Sequence, residues 1–274
     1  MLQQIALVSE SAAVGLDQLA EVAAALQKQV VRDFGPIWDV QATVSPFPTQ
    51  EAVPEGYSRV TIADELTERT LGFHRTRDGQ PFAMVLFRED WPRIASHEVL
   101  EMLADPSGDR LVPGDSPDPA QGRVEFLLEV CDPCAPVTYP VNGLDLSDFF
   151  TPDYHSPVAA AGVRYSFTGQ LAGPREVVAG GYLSWRVPGT NDWFVAVRSD
   201  SQLTVQPIPG PITGLSLREV IDRQARPPEA IPKRRRARPG PPRESATRKR
   251  LKSGRAAAAA RFREEVAALA TRPL

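Results

Sequence analysis

Hydrophobic and polar residues follow two different periods over the N-terminal third of the chain. A short apolar run at residues 5–9 predicts a buried strand. Residues 12–32 carry apolar side chains at helical spacing, which predicts an amphipathic helix that ends at Phe34-Gly35-Pro36. Further strands are predicted at residues 38–47, 59–66 and 81–87.

A second helix is predicted at residues 91–104. It ends at Asp105-Pro106, because proline disfavours a helical residue before it. A loop rich in proline, glycine and aspartate is expected at residues 107–122. The apolar run at 124–130 then predicts a strand that leads directly into the Cys-Asp-Pro-Cys sequence at 131–134.

The next region is predicted to be less regular. Residues 139–150 indicate a strand or a hairpin, and residues 151–200 hold irregular segments with short strands such as GGYLSWRV and WFVAVRS. Beyond Val205, the sequence QPIPGPITG predicts a proline-rich connection, and residues 216–225 predict a brief helix.

These elements predict an α+β protein with a mixed sheet. We expect an α+β domain over residues 1–205, with its functional helix at 91–105 and an irregular, β-containing second part at 124–205. A proline-rich connection with a short helix is expected at 206–232, and it leads to a basic tail at 233–274.

Charge separates this tail from the rest of the chain. The tail holds fourteen Lys or Arg and three Glu, so residues 1–232 carry a formal charge of −14 although the whole chain carries −3. Prolines and basic residues at 226–255 predict disorder, and residues 255–271 have strong helix propensity. Partners expected for the tail at 233–274 are polyanions such as nucleic acid, an acidic protein surface, or the acidic body of the chain itself.

Composition and missing motifs disfavour several classes of protein. There is no run of eighteen apolar residues, and the start, MLQQIALVSESAA, lacks the pattern of a secretory signal, so we expect a cytoplasmic protein without a membrane partner. Two cysteines are too few for a disulfide framework. The sequence has no P-loop, no G-x-G-x-x-G after a strand and no G-x-S-x-G, which disfavours nucleotide-dependent catalysis and serine hydrolysis.

The predicted helix at 91–105 carries the residues that indicate a chemical function. His97 and Glu101 are four residues apart, so they share one helix face and could hold a divalent ion between successive turns. Glu98 stands where the glutamate of an H-E-x-x-H helix polarises a water at a metal. Glu101 replaces the second histidine of that motif. A carboxylate is an acceptable zinc ligand, and it shifts the preference toward Mn or Ca.

The same residues have a simpler interpretation. His97 and Glu101 are ordinary residues for the solvated face of an amphipathic helix, while Ile94, Leu100 and Leu103 could face the core. The order of elements supports the metal site. In a zincin, the active helix follows a long helix and several strands, the last of them an edge strand along the substrate cleft. That order is present here, and it is also common among other α/β proteins.

Two short motifs resemble a known group of proteins. SHEVLEMLADP (96–106) and EVCDPC (129–134) resemble the pattern H-E-x-x-E-x-x-x-[DN]-P followed by E-[IV]-x-D-x-C of zincin-like metallopeptidase-type proteins, which include the plant phosphate-induced, or exordium-like, proteins. The DFGPIW and LGFH segments further upstream also resemble uncharacterised proteins of actinobacteria and their phages.

The resemblance implies a zincin-like half-domain with a site for zinc, or for another divalent cation such as Mn or Ca. The implied metal ligands are His97 and Glu101, together with Glu129 or Asp132. Glu98 is implied as the general base. Which carboxylate is the third ligand stays open, and Glu129 fits the solvent-facing side of an alternating strand equally well.

Other residues near the motifs have several possible roles. Asp105 is a second choice as ligand, because it lies eight residues from His97, roughly 12 Å along an ideal helix. His74 and His155 are each either a fourth ligand, a contact for a substrate carbonyl, or a polar loop residue. Tyr154 is a candidate hydrogen-bond donor to a developing oxyanion.

Cys131 and Cys134 form a C-x-x-C pair. We expect this pair to have a local structural role, as a reversible disulfide or as support beside the metal. Thioredoxin-like catalysis is disfavoured, because Pro133 and Pro136 interrupt the segment.

Three functions remain in consideration. The first is a metal-dependent hydrolase, a zincin-like peptidase acting on a peptide or protein. The second is a catalytically inactive zincin-like structural or interaction protein, phage-associated and located in a virion, that binds a partner through residues 233–274. The third is nucleic-acid binding by that tail, with the acidic body as a regulator.

Overall fold

Five strands and three α-helices make up the first half of the described chain. The computed structural model describes residues 2–67, 70–209, 220, 221 and 225, and every structural statement here concerns these residues. The elements of the first half are β1 (Gln3–Ser9), α1 (Leu16–Gln29), α2 (Gly35–Trp38), β2 (Ala42–Pro46), β3 (Ser58–Ala63), β4 (Gly72–Arg77), β5 (Gln80–Leu86) and α3 (Trp91–Ala104).

The strands of this half form a mixed five-stranded sheet in the order β2-β1-β3-β5-β4. β1 pairs in parallel with β2 and β3, β5 pairs in parallel with β3, and β4 is antiparallel to β5. Ile5 and Leu7 belong to the main core, whereas Ala6 and Val8 pack with Val53 in a separate apolar cluster. Burial on both faces explains why β1 appears in the sequence as a continuous apolar run.

The first helical segment does not end at Phe34-Gly35-Pro36 as predicted. After α1 the chain continues through a wider helical turn, Val30–Phe34, into α2, and it leaves the helix at Asp39, whose φ is 53°. Gly35 permits this path, because a Cβ there would lie 2.8 Å from the carbonyl oxygen of Val30. For this reason β2 begins at Ala42, later than the predicted strand at 38–47.

The sequence prediction misses strand β4. A turn at Asp78-Gly79 joins it to β5, and both turn residues have positive φ, 52° and 77°, as tight hairpin turns require. β4 is the last strand in the sheet order, and β5 lies between β3 and β4. The expectation that the last strand before the functional helix forms the edge is therefore wrong.

The second half of the described chain is built from antiparallel strands. One sheet has the order β12-β11-β10-β7-β6, and β8 pairs with β9 in the hairpin predicted at 139–150. The predicted loop at 107–122 contains β6, and the first residues of the predicted connection beyond Val205, 206–208, belong to β12. The strands are β6 (Leu111–Asp115), β7 (Arg123–Leu127), β8 (Thr138–Val141), β9 (Leu144–Ser147), β10 (Tyr182–Arg186), β11 (Trp193–Arg198) and β12 (Leu203–Ile208).

A continuous core joins both sheets through α3, and the α+β fold is confirmed. A second apolar cluster lies on the other face of the antiparallel sheet, where Val220, Ile221 and Ala225 pack with Tyr182 and Val195. These three are the described helical residues of the predicted helix at 216–225. The predicted tail at 233–274 and its helix at 255–271 lie outside the described residues. Within the described part, no helix has the length and apolar character needed to cross a membrane.

A buried polar network holds α3 in place beside the functional residues. Ser96 donates a hydrogen bond to Gln29 Oε1 on α1 (2.7 Å) and accepts one from the backbone N–H of Ser147 on β9 (3.1 Å). Gln29 Nε2 donates to the carbonyl oxygen of Ser147 (3.0 Å) and to the hydroxyl of Tyr139 (3.1 Å). Because Gln29, Ser96 and Ser147 are fully buried, their hydrogen bonds fix the distance between the two helices and the hairpin.

We expect Ser96→Ala to lower the free energy of unfolding by about 1–3 kcal/mol, because it leaves a buried amide oxygen and a buried N–H without their partner. Urea denaturation measures this change. Ser45→Ala, on the partly exposed side of β2, is the control and should change the free energy by less than about 0.5 kcal/mol. Equal effects of the two substitutions would contradict the role assigned to the network.

Candidate metal centre

Helix α3 places His97 and Glu101 on one face, as their spacing predicts. His97 Nε2 lies 3.2 Å from Glu101 Oε1 and 3.1 Å from Asp132 Oδ1. The three side chains are only 4%, 0% and 4% exposed. The interpretation of His97 and Glu101 as residues on a solvated helix face is therefore wrong, because α3 is buried on that face as well.

The segment after β7 supplies two more carboxylates. β7 ends at Leu127, so Glu129 lies beyond the strand, in contrast to the predicted strand at 124–130. Glu101, Glu129 and Asp132 each offer an oxygen atom, and these atoms lie within 4.8 Å of one another. Both carboxylates that the sequence leaves open as the third ligand thus belong to the same buried group.

Backbone contacts fix the turn that carries Asp132. The backbone N–H of Cys131 donates to Glu101 Oε1 (3.2 Å), which joins the turn to α3. From the other side, Val178 N–H donates to the carbonyl oxygen of Pro133 (3.0 Å). Gly181 is required at the start of β10, because a Cβ at this residue would collide with the backbone of Asp132 and Pro133.

His74 is part of the same buried cluster, although the sequence suggests a loop residue. It lies on β4 and is 1% exposed. Its Nε2 lies 3.1 Å from the backbone carbonyl oxygen of Asp105, and its Nδ1 faces Glu98 Oε2 at 3.6 Å and Glu101 Oε2 at 3.9 Å. The Asp78-Gly79 turn, flanked by strand-forming residues, is the sequence signal that could have placed His74 on a strand.

Glu98 packs against the backbone of β4 at Gly72. A Cβ at Gly72 would lie 2.7 Å from Glu98 Oε1 and 2.8 Å from Ile94 Cγ2. Only glycine leaves room for the Glu98 carboxylate in this position. The need for Gly72 is not visible in the sequence, because it arises from an approach between two elements that are distant along the chain.

Asp105, the second choice as ligand, has a structural role. Its carboxylate accepts hydrogen bonds from the backbone N–H groups of Gly108 (3.0 Å) and Arg110 (2.7 Å). These bonds hold the turn that follows α3. The same residue fixes the His74 ring through its carbonyl oxygen, so it orients the cluster without belonging to it.

Cys131 and Cys134 are free thiols in the core. Cys131 Sγ lies 3.8 Å from the carbonyl oxygen of His97, and it is within 4.8 Å of ligand atoms of His97 and Glu101. Burial raises the pKa of both thiols well above its usual range, and nearby carboxylates add to this effect. The pair forms no disulfide in this structure, and Cys131 could join His97 and Glu101 as a metal ligand, so its local structural role stays a prediction.

Tyr154 and His155 lie in aromatic packing. The Tyr154 hydroxyl donates to the backbone carbonyl oxygen of Glu176 (2.8 Å), and its ring stacks on Phe150 at 4.3 Å. His155 lies among the rings of Phe126, Phe150 and Tyr154, and neither ring nitrogen has a hydrogen-bond partner among the described residues. Neither residue belongs to the groups of possible metal ligands found there. Their roles in catalysis stay predictions.

The electrostatics of the cluster allow two states. Burial alone would lower the pKa of His97, but Glu101 and Asp132 outweigh this effect and raise it to about 10. Without a metal ion, His97 therefore holds a proton between two carboxylates at neutral pH. A divalent cation can replace that proton, because ligands about 2.1 Å from a tetrahedral ion are about 3.4 Å apart, close to the distances seen here.

Comparisons with known proteins assign the chain to no family. No family model, no curated protein and no solved structure matches this chain. The geometry of the site and the two sequence motifs are therefore the basis for a functional proposal.

We expect protonation of His155 to make the protein less stable in acid. Burial lowers the pKa of this ring to about 4 in the folded protein, whereas the ordinary value is 6.5, so below pH 6.5 the unfolded chain binds the proton more readily. The free energy of unfolding should therefore fall between pH 6.5 and pH 4. His155→Phe fits the aromatic surroundings and removes this contribution, which is at most about 3 kcal/mol. Denaturation of both proteins at several pH values measures the difference, and identical pH profiles would contradict the account.

Proposed function

We propose that the protein is a metal-dependent hydrolase of the zincin-like peptidase type. The observation that carries this proposal is the convergence of His97, Glu101 and Asp132, from one helix and a later turn, at 3.1–3.2 Å. An imidazole and carboxylates at these separations are ligands that zinc accepts. Glu129 completes the ligand set, since its carboxylate lies in the same group.

Glu98 is proposed as the general base. It follows His97 directly on α3 and belongs to the adjoining group with His74 and Glu101. When an ion is bound, it supplies polarisation of a water molecule and of the scissile carbonyl group. Glu98 accepts a proton from that water and holds it for the leaving amine. Gly72 keeps the Glu98 carboxylate in place against β4.

The position of β4 supports a peptide as substrate. β4 is the last strand in the sheet order, and it carries His74 into the cluster. A strand at a sheet edge presents main-chain groups that an extended peptide can pair with. The residues of β4 beside α3, Gly72–His74, are buried, and Thr76 and Arg77 are exposed, so a peptide would reach the strand at its exposed end.

Burial favours a second candidate function. His97, Glu98 and Glu101 are at most 3% exposed, as expected for a metal ion that links α3 to the 129–134 segment and has only a structural role. In that case the protein is an inactive zincin-like interaction protein that binds a partner through residues 233–274. Turnover distinguishes the two candidates.

We expect the purified full chain to retain about one equivalent of zinc or a similar ion after dialysis, and His97→Ala to lose it, because this substitution removes the nitrogen ligand. Elemental analysis measures the metal content. His155→Phe is the matched control, since it removes a buried histidine outside the cluster, and it should retain the ion. A wild-type protein that remains fully stable and binds no divalent ion would contradict the proposal.

We expect cleavage of a peptide library by the wild-type protein to be chelator-sensitive. Glu98→Gln should slow cleavage by about 10²–10⁴-fold while the ion stays bound, because the amide keeps the shape of the side chain but accepts no proton. Mass spectrometry of the library and elemental analysis measure both properties. Metal binding without any cleavage by the wild type would favour the structural candidate.

A further inference from the structure

Glu101 presents its two carboxylate oxygens to two different histidines. Oε1 lies 3.2 Å from His97 Nε2 and accepts the N–H of Cys131, whereas Oε2 lies 3.9 Å from His74 Nδ1. A carboxylate with one oxygen in each of two ligand groups is the arrangement of a bridging ligand. Oε1 belongs to the proposed site, where His97 contacts both Glu101 and Asp132. The second group consists of His74, Glu98 and Glu101.

The hydrogen bond of His74 determines which of its ring nitrogens faces the carboxylates of Glu98 and Glu101. The carbonyl oxygen of Asp105 only accepts hydrogen bonds, so Nε2 at 3.1 Å carries a hydrogen. Nδ1 therefore faces Glu98 Oε2 (3.6 Å) and Glu101 Oε2 (3.9 Å). An imidazole nitrogen and carboxylate oxygens are ligand atoms for a divalent cation, and these three residues form one of the groups that could hold one.

The dimensions of this second group suit a cation. The two separations from Nδ1 exceed hydrogen-bonding distance, and they are within a few tenths of an ångström of the roughly 3.4 Å between ligands of a tetrahedral ion. The side chains of His74, Glu98 and Glu101 are 0%, 2% and 0% exposed. We propose that these three residues form a second site for a divalent cation, with Glu101 bridging the two ions.

Charge gives a reason for two ions. The ligands of both sites comprise four carboxylates with a formal charge of −4 and two imidazoles. One divalent ion leaves a net charge of −2 on these six side chains, and a second ion brings their net charge to zero. The second ion binds more weakly than the first, because the two cations repel each other at close range.

This second site regulates the activity, and in this respect it rests on the proposed function. Glu98 is the proposed base, and an ion bound to Glu98 Oε2 removes its capacity to accept a proton. Hydrolysis therefore rises as the first site fills and falls when excess metal fills the second. His74→Gln should relieve this inhibition by excess metal.

Zinc titration of the metal-free full chain tests the second site directly. We expect isothermal titration calorimetry with zinc chloride to give two equivalents for the wild type. His74→Gln, which retains an N–H for the Asp105 carbonyl oxygen, should keep the first equivalent and bind the second at least about tenfold more weakly. His155→Phe, the control, should bind both as the wild type does.

Each other result has a distinct meaning. One equivalent in the wild type overturns the second site and leaves the proposed function intact, whereas no binding at all overturns both. Two unchanged equivalents in His74→Gln place the second ion elsewhere and also overturn the proposal. If His74→Gln does not fold, the electron paramagnetic resonance of the wild type with two equivalents of Mn²⁺ decides. Carboxylate-bridged ions couple magnetically, and two independent signals would contradict the bridge.

Discussion

The burial of carboxylates beside two imidazoles inside the protein is the constraint on which the rest of the structure depends. Glu98, Glu101 and Asp132 lie in the interior, where isolated charges are strongly disfavoured. They are tolerated because His74 and His97 stand next to them and because protons or cations can balance their charge. Several separate elements must therefore meet at α3.

Each supporting element contributes one fixed contact. The network of Ser96, Gln29 and Ser147 sets α3 against α1 and β9. The Gly72 position on β4 leaves room for Glu98, and the N–H of Cys131 joins the later turn to Glu101. These contacts consist of hydrogen bonds and close backbone approaches, which resist displacement more than flexible side-chain packing does. These contacts thus fix the relative positions of the candidate ligands.

The local part of this arrangement could be predicted from the sequence. The bounds of α3 and the common face of His97 and Glu101 follow from helical periodicity and from Pro106, and both are confirmed. The sequence pattern does not predict β4, because a short strand with polar residues gives a weak pattern, and it suggests a loop at His74 for the same reason. The convergence of Glu129 and Asp132 on α3 depends on packing between distant segments, which periodicity does not encode. The zincin resemblance anticipated these carboxylates, but it did not include His74 among the ligands it implied.

The central claim is that a divalent ion occupies the space between His97, Glu101 and the carboxylates of the 129–134 segment. Anomalous diffraction at the zinc absorption edge, from crystals of the full chain grown with zinc, tests it most directly. The account predicts an anomalous peak about 2.0–2.2 Å from His97 Nε2 and from a Glu101 oxygen. A map without a peak there, with His97 still paired directly to Asp132 in the presence of zinc, would contradict it.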